Sequence, residues 1–64
     1  MCEAHAYLLA ESGEERIMEN VVRIRPEGDE VVLTDLFGDQ VRVRARIEEI
    51  ALVERRIVLQ KTEA

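Results

Sequence analysis

The chain has 64 residues, of which 47% are hydrophobic and 36% charged, and its formal net charge is −5 at neutral pH. A single domain spanning residues 1–64 is expected, because two would each fall below the size at which a chain buries a stable core unaided, and a catalytic cleft fits poorly in this length. The acidic balance repels phosphate backbones and disfavours nucleic acid, and no apolar run approaches the ~20 residues of a membrane-spanning helix. A lone cysteine with no export-type leader points to the cytoplasm.

From Cys2 to Ala10 the chain alternates, with Ala4, Ala6 and Leu8 on one side and His5, Tyr7 and Leu9 on the other, which predicts a strand covered on both faces. Glu11 to Glu14 form a turn in which Gly13 is free to take a positive φ. Arg16 to Met18 read as a short second strand, broken by Glu19-Asn20. From Val21 to Arg25 a third run places Val22 and Ile24 on one face and Arg23 and Arg25 on the other. Pro26-Glu27-Gly28-Asp29 is a turn, since proline presets φ early and glycine relaxes it later.

Val31 to Thr34 is the returning strand. Asp35 to Asp39 form a second reversal, whose Leu36 and Phe37 are apolar enough to be expected beneath the barrel. The longest predicted strand runs from Gln40 to Ile47, with Val41, Val43, Ala45 and Ile47 alternating with Arg42, Arg44 and Arg46, so that three guanidinium groups line one face. The spacing of Ile47, Ile50 and Ala51 fits either a continued strand or one helical turn over residues 48–52. Glu54-Arg55-Arg56 is a charged turn, Ile57 to Leu59 closes the sheet, and Gln60 to Ala64 is a polar tail. Five or six short strands joined by tight turns predict an all-β fold, a small antiparallel barrel of the SH3-like type. With Tyr7 and Phe37 the only aromatic residues, the core is thin, and pairing into a homodimer is the expected supplement.

The chemistry concentrates at Cys2. With Met1 retained, its amine, the deprotonated Cys2 amide and the Cys2 thiolate close two fused five-membered chelate rings in a plane, a donor set that suits Ni(II) or Cu(II) better than Zn(II). With Met1 removed, the Cys2 amine and thiolate still close one ring, and two termini in a dimer would share one ion. His5 is a further candidate ligand, although it falls on the opposite strand face from Cys2. The alternative for both is ordinary packing. No glycine-rich phosphate loop or nucleophile–histidine–carboxylate set is present, so no enzyme is expected. The Arg42, Arg44, Arg46 ladder offers a second reading, a small RNA-binding barrel, against which stand the scarcity of stacking aromatics and the commoner use of such arginines, pairing with Glu14, Glu15, Glu30 and Glu48. A third reading is an adaptor domain that binds a protein through an exposed barrel face, although the aromatic groove for proline-rich peptides is missing.

Four segments, M-C-E-x-x-A-Y-L, V-V-R-I-x-P-E-G-D-E-V-V-L, D-L-F-G-D-Q and R-I-V-L, resemble the CooT-type family of short cytoplasmic proteins. Some of its members are nickel-binding accessory proteins of carbon monoxide dehydrogenase. The resemblance extends over nearly the whole chain, and Cys2 matches the position associated with metal in the characterised members. It implies an SH3-like homodimer that binds Ni(II) through Cys2 and delivers or buffers nickel for a metalloenzyme client.

Overall fold

A computed structural model describes residues 4–62, which form six strands: β1 (Ala4–Ala10), β2 (Gly13–Glu27), β3 (Glu30–Asp35), β4 (Gln40–Val43), β5 (Ala45–Ala51) and β6 (Arg56–Lys61). They make one sheet in the order β4-β3-β2-β1-β6-β5. Neighbours pair antiparallel except β1 and β6, which run parallel, with Ala6 opposite Ile57 and Leu8 opposite Leu59. The sheet curls into a half-barrel that brings β3 against β5, which are far apart in the strand order. This is the small all-β barrel the alternation predicts, with one parallel pairing in place of a wholly antiparallel sheet.

The concave face holds the core. Ala6, Met18, Val21, Val31, Leu33, Ala45, Ile57 and Leu59 form one buried cluster, with Leu8, Ile17, Ile24, Val41 and Val43 packed at its margin. Val32 and Val58 are buried on the other face. Their cover follows from register: Val32 stands between Arg25 and Arg42, and Val58 lies beside Tyr7, over whose ring Arg56 sits at 4.3 Å. Aliphatic arginine stems thus roof apolar residues while their charges stay in water.

β2 shows how the curl is made. Fifteen residues at about 3.3 Å each would reach nearly 50 Å, yet the molecule is only 34 Å in its longest dimension. The strand bends at Asn20, which takes a positive φ of 57°, and its register slips between Val21 and Arg23. The extra residue of a bulge changes which face each later side chain meets. Val21 is therefore buried and Val22 is 52% exposed, so Val22 does not share the inner face with Ile24 as strict alternation predicts. The predicted break at Glu19-Asn20 is real as a bend and not as a strand end.

Three other expectations change. The predicted Gln40 to Ile47 strand is two, because the chain bends at Arg44 and crosses from one end of the strand order to the other. No helical turn forms over residues 48–52, since β5 continues to Ala51 against β6 and only then turns. Phe37 does not tuck beneath the barrel but is 79% exposed. Asp35 tightens its reversal, the Asp35 Oδ1 accepting from the Phe37 and Asp39 backbone N–H groups at 2.9 Å each, and a loop this tight leaves the intervening side chains pointing outward.

Leu59→Ala is expected to lower stability by about 2–5 kcal/mol through the cavity it leaves in the core. Val22→Ala should change it by no more than about 0.5 kcal/mol, as for other surface substitutions. Urea denaturation checks both, and a Val22→Ala loss comparable to Leu59→Ala would contradict the bulge.

Candidate functional site

Met1 and Cys2 lie outside the described residues, so the region is built from what surrounds the start of β1. Ala4 stands opposite Val21, and Val21 stands opposite Asp35, which puts Ala4, Val21 and Asp35 in one row across three adjacent strands. Ala4 also borders an apolar groove between β2 and the β5–β6 turn, lined by the buried Val21 and Ile57 and the exposed Val22, Ile50 and Leu52. Arg23, Arg55 and Arg56 add positive charge to it. The turn itself carries Leu52 and Val53, 81% and 97% exposed, and closes with Arg55 at a positive φ of 58° donating its N–H to the Leu52 carbonyl at 3.3 Å.

This groove and its turn are what reading the sequence by period missed. Leu52 falls in the candidate helical turn over residues 48–52, and Val53 just after it belongs to no predicted element. Two adjacent apolar residues immediately before the charged Glu54-Arg55-Arg56 were the available signal, because adjacent strand residues cannot both face the core.

His5 is anchored on two sides. Its backbone N–H donates to the Arg55 carbonyl at 3.0 Å, and its Nδ1 accepts from the Asn20 backbone N–H at 3.3 Å in a half-buried setting. An accepting Nδ1 is unprotonated and already engaged, which leaves Nε2 as the ring's outward nitrogen. The chain continues from Asn20, whose carbonyl accepts from the Leu36 N–H at 2.9 Å. His5 therefore ties the start of β1 to the Asn20 bend and to the β5–β6 turn, and Asn20 in turn holds the Asp35–Asp39 turn. Among the described residues no group of three or more His, Cys, Asp or Glu side chains is arranged to hold a metal.

The arginines do not form a ladder. Arg42 is on β4, Arg44 at the bend and Arg46 on β5, and each reaches a carboxylate. Arg42 Nη1 is 3.0 Å from both Glu27 and Glu30, Arg44 is 3.8 Å from Glu30, and Arg46 is 3.5 Å from Glu48. Hydrogen bonds that the Arg42 guanidinium donates to Glu27 and then Glu30 hold it above the ordinary arginine range. Arg56 is 2.6 Å from Glu14. Of the carboxylates the sequence suggests for these arginines, Glu30 and Glu48 pair with them, while Glu14 pairs with Arg56 and Glu27 is an added partner. Positive charge met by carboxylates at this range presents little net attraction to a phosphate backbone. No helix among the described residues is long and apolar enough to cross a membrane.

Comparison with known proteins places the chain among similar sequences. The family model described as CO dehydrogenase accessory protein CooT matches residues 1–60. A CooT crystal structure from Carboxydothermus hydrogenoformans superposes with a TM-score of 0.87 at 31% identity, covering 97% of this chain and all of the other. An uncharacterized protein of Archaeoglobus fulgidus is 46% identical over 43 residues, 67% of this chain and 96% of its own length. Another, from Methanocaldococcus jannaschii, is 33% identical over 60 residues, 94% of this chain and 98% of its own.

His5→Ala leaves the Asn20 N–H without its acceptor and is expected to cost about 1–3 kcal/mol, read as a lower urea midpoint. His5→Asn, whose side-chain oxygen can take over the same bond, should recover part of that loss.

Proposed function

Because the chain belongs to the CooT family of carbon monoxide dehydrogenase accessory proteins, we propose that it binds nickel(II) as cargo through Cys2 and delivers or buffers it for a metalloenzyme client in the cytoplasm. The observation that carries this reading is the family match itself, which runs through Cys2 and over nearly the whole chain. The chemistry agrees. A thiolate flanked by backbone nitrogen supplies soft and strong-field donors, a combination that suits nickel(II).

The protein acts as a homodimer in this proposal, through the apolar groove beside Ala4. Val22, Ile50, Leu52 and Val53 are exposed apolar side chains that a second copy would cover. In this proposal the pairing brings two Cys2 thiolates to one shared ion, with the Met1 amine completing the donor set where Met1 is retained. His5, held by Asn20 through Nδ1, has only Nε2 to offer and serves chiefly to position the start of β1. The role is that of a carrier and not a catalyst, in keeping with the accessory description of the family.

Titrating the metal-free protein with Ni(II) should produce thiolate-to-nickel charge-transfer absorption that saturates at one ion per pair of chains and vanishes in Cys2→Ser. An unchanged band in Cys2→Ser would refute the assignment. His5→Ala should alter nickel affinity by less than the roughly tenfold expected on losing a partner that supports a metal site.

Protons compete with nickel for the thiol, whose ordinary pKa is about 8.5. Apparent affinity should therefore climb as pH rises toward and through that value and then level off once ligand deprotonation is complete. A titration flat between pH 6 and 9 would contradict thiolate ligation.

A further inference from the structure

The Asp35–Asp39 turn has no part in the nickel site, yet it is built to hold one aromatic side chain in water. Phe37 is 79% exposed, one of only two aromatic residues in the chain. Its turn is closed from inside by the Asp35 Oδ1 bonds to the Phe37 and Asp39 N–H groups, by the Gly38 N–H on the Asp35 carbonyl at 3.1 Å, and by the Asp35 N–H on the Asp39 carbonyl at 3.0 Å. From outside, the Leu36 N–H is fixed to Asn20. Gly38 takes a φ of 91°, which a side chain there would resist. Exposing a large apolar ring costs free energy, and a backbone fixed in this way removes the ring's chance to fold back onto the sheet. A rigid turn also loses little entropy when its ring is captured, which is the property of an interface anchor.

We propose that Phe37 is the anchor by which this protein docks on its metalloenzyme client, entering an apolar socket rimmed by basic side chains. Charge selects the socket, for the turn carries Asp35 and Asp39 and no cation from Asp35 to Val41, and the chain as a whole is at −5. Position separates this occupant from a second copy, since among the described residues none of the turn lines the apolar groove beside Ala4. Position also gives docking a purpose. Ala4 and Asp35 stand two strand spacings apart in the same row, roughly 10 Å, so a client held by Phe37 lies beside the start of β1. The inference rests on the carrier reading and names the surface that carrier uses.

The test is binding of purified, nickel-depleted carbon monoxide dehydrogenase to the immobilised full-length protein, by biolayer interferometry, beside the oligomeric state and nickel titration of each variant. Phe37→Ala should weaken binding roughly thirtyfold or more, with the sedimentation and nickel band of the wild type. Asp35→Ala, which loosens the turn but keeps the ring, should weaken it less. Binding that is equal in Phe37→Ala and wild type would overturn the anchor while leaving the nickel reading intact. Loss of the dimer in Phe37→Ala would overturn the client as occupant and assign the ring to a second copy. No binding even by wild type would overturn the docking proposal, and the nickel titration would report separately on Cys2.

Discussion

Asn20 carries the bend on which the rest of the molecule depends. A non-glycine residue at φ 57° is strained relative to a strand conformation, and asparagine tolerates it better than most because its short polar side chain suits the left-handed region. The strain is offset by the use made of its backbone, its N–H going to His5 and its carbonyl receiving Leu36. The bend divides β2 into a half that pairs with β1 and a half that pairs with β3, with Val21 serving both. Without it, a fifteen-residue strand would lie flat and the two ends of the sheet could not approach. A second irregularity, the slip between Val21 and Arg23 against β3, moves Val22 out of the core and onto the groove.

The electrostatic arrangement follows from the same curl. An acidic chain of this size can afford few unpaired cations near its core, and the arginines serve as much by their stems as by their charges. Arg25 and Arg42 flank Val32, and Arg56 covers Tyr7. Their heads are then met by Glu27, Glu30 and Glu14 at exposed positions, where such pairs contribute little to stability individually. Their consequence is local neutrality over the outer face. That leaves the groove beside Ala4, with Arg23 and Arg55, and the acidic Phe37 turn as the places where charge and apolar area coincide.

Much of this was legible in the sequence because period-two alternation is local. The strands at Ala4–Ala10, Val31 to Thr34 and Ile57 to Leu59 and the Gly13 and Gly28 turns follow from residues within a few positions of each other, whereas the pairs Arg42–Glu30 and Arg56–Glu14 join residues 12 and 42 positions apart. The errors occurred where a backbone irregularity reset the phase. The slip between Val21 and Arg23 displaced Val22, and the bend at Arg44 sent Arg42 and Arg46 to opposite ends of the strand order although the alternation from Val41 to Ile47 is unbroken. Phe37 was misjudged because hydrophobicity was weighed without the Asp35 hydrogen bonds that decide its direction. The parallel pairing of β1 with β6 joins residues about fifty positions apart, and no short-range pattern encodes it. Of the candidate site, Cys2 stood out by chemistry alone, whereas the groove beside Ala4 exists only once β2, β5 and β6 are assembled.

The division of labour that emerges suits a carrier. A resident structural metal is held by a closed cage of buried side chains that also stabilises the fold, and removing the ion then costs folding free energy. Among the described residues this fold has no such cage and closes its core with Leu33, Leu59 and Ala6. On the proposed reading the donors are few, the Cys2 thiolate and backbone nitrogen, so few bonds need to break for the ion to leave. The sheet then supplies what a single thiolate lacks: a second copy to share the ion and a fixed aromatic contact to set the direction of transfer. Affinity and delivery are thereby assigned to different parts of the molecule. Either can be changed by substitution at one place, Cys2 or Phe37.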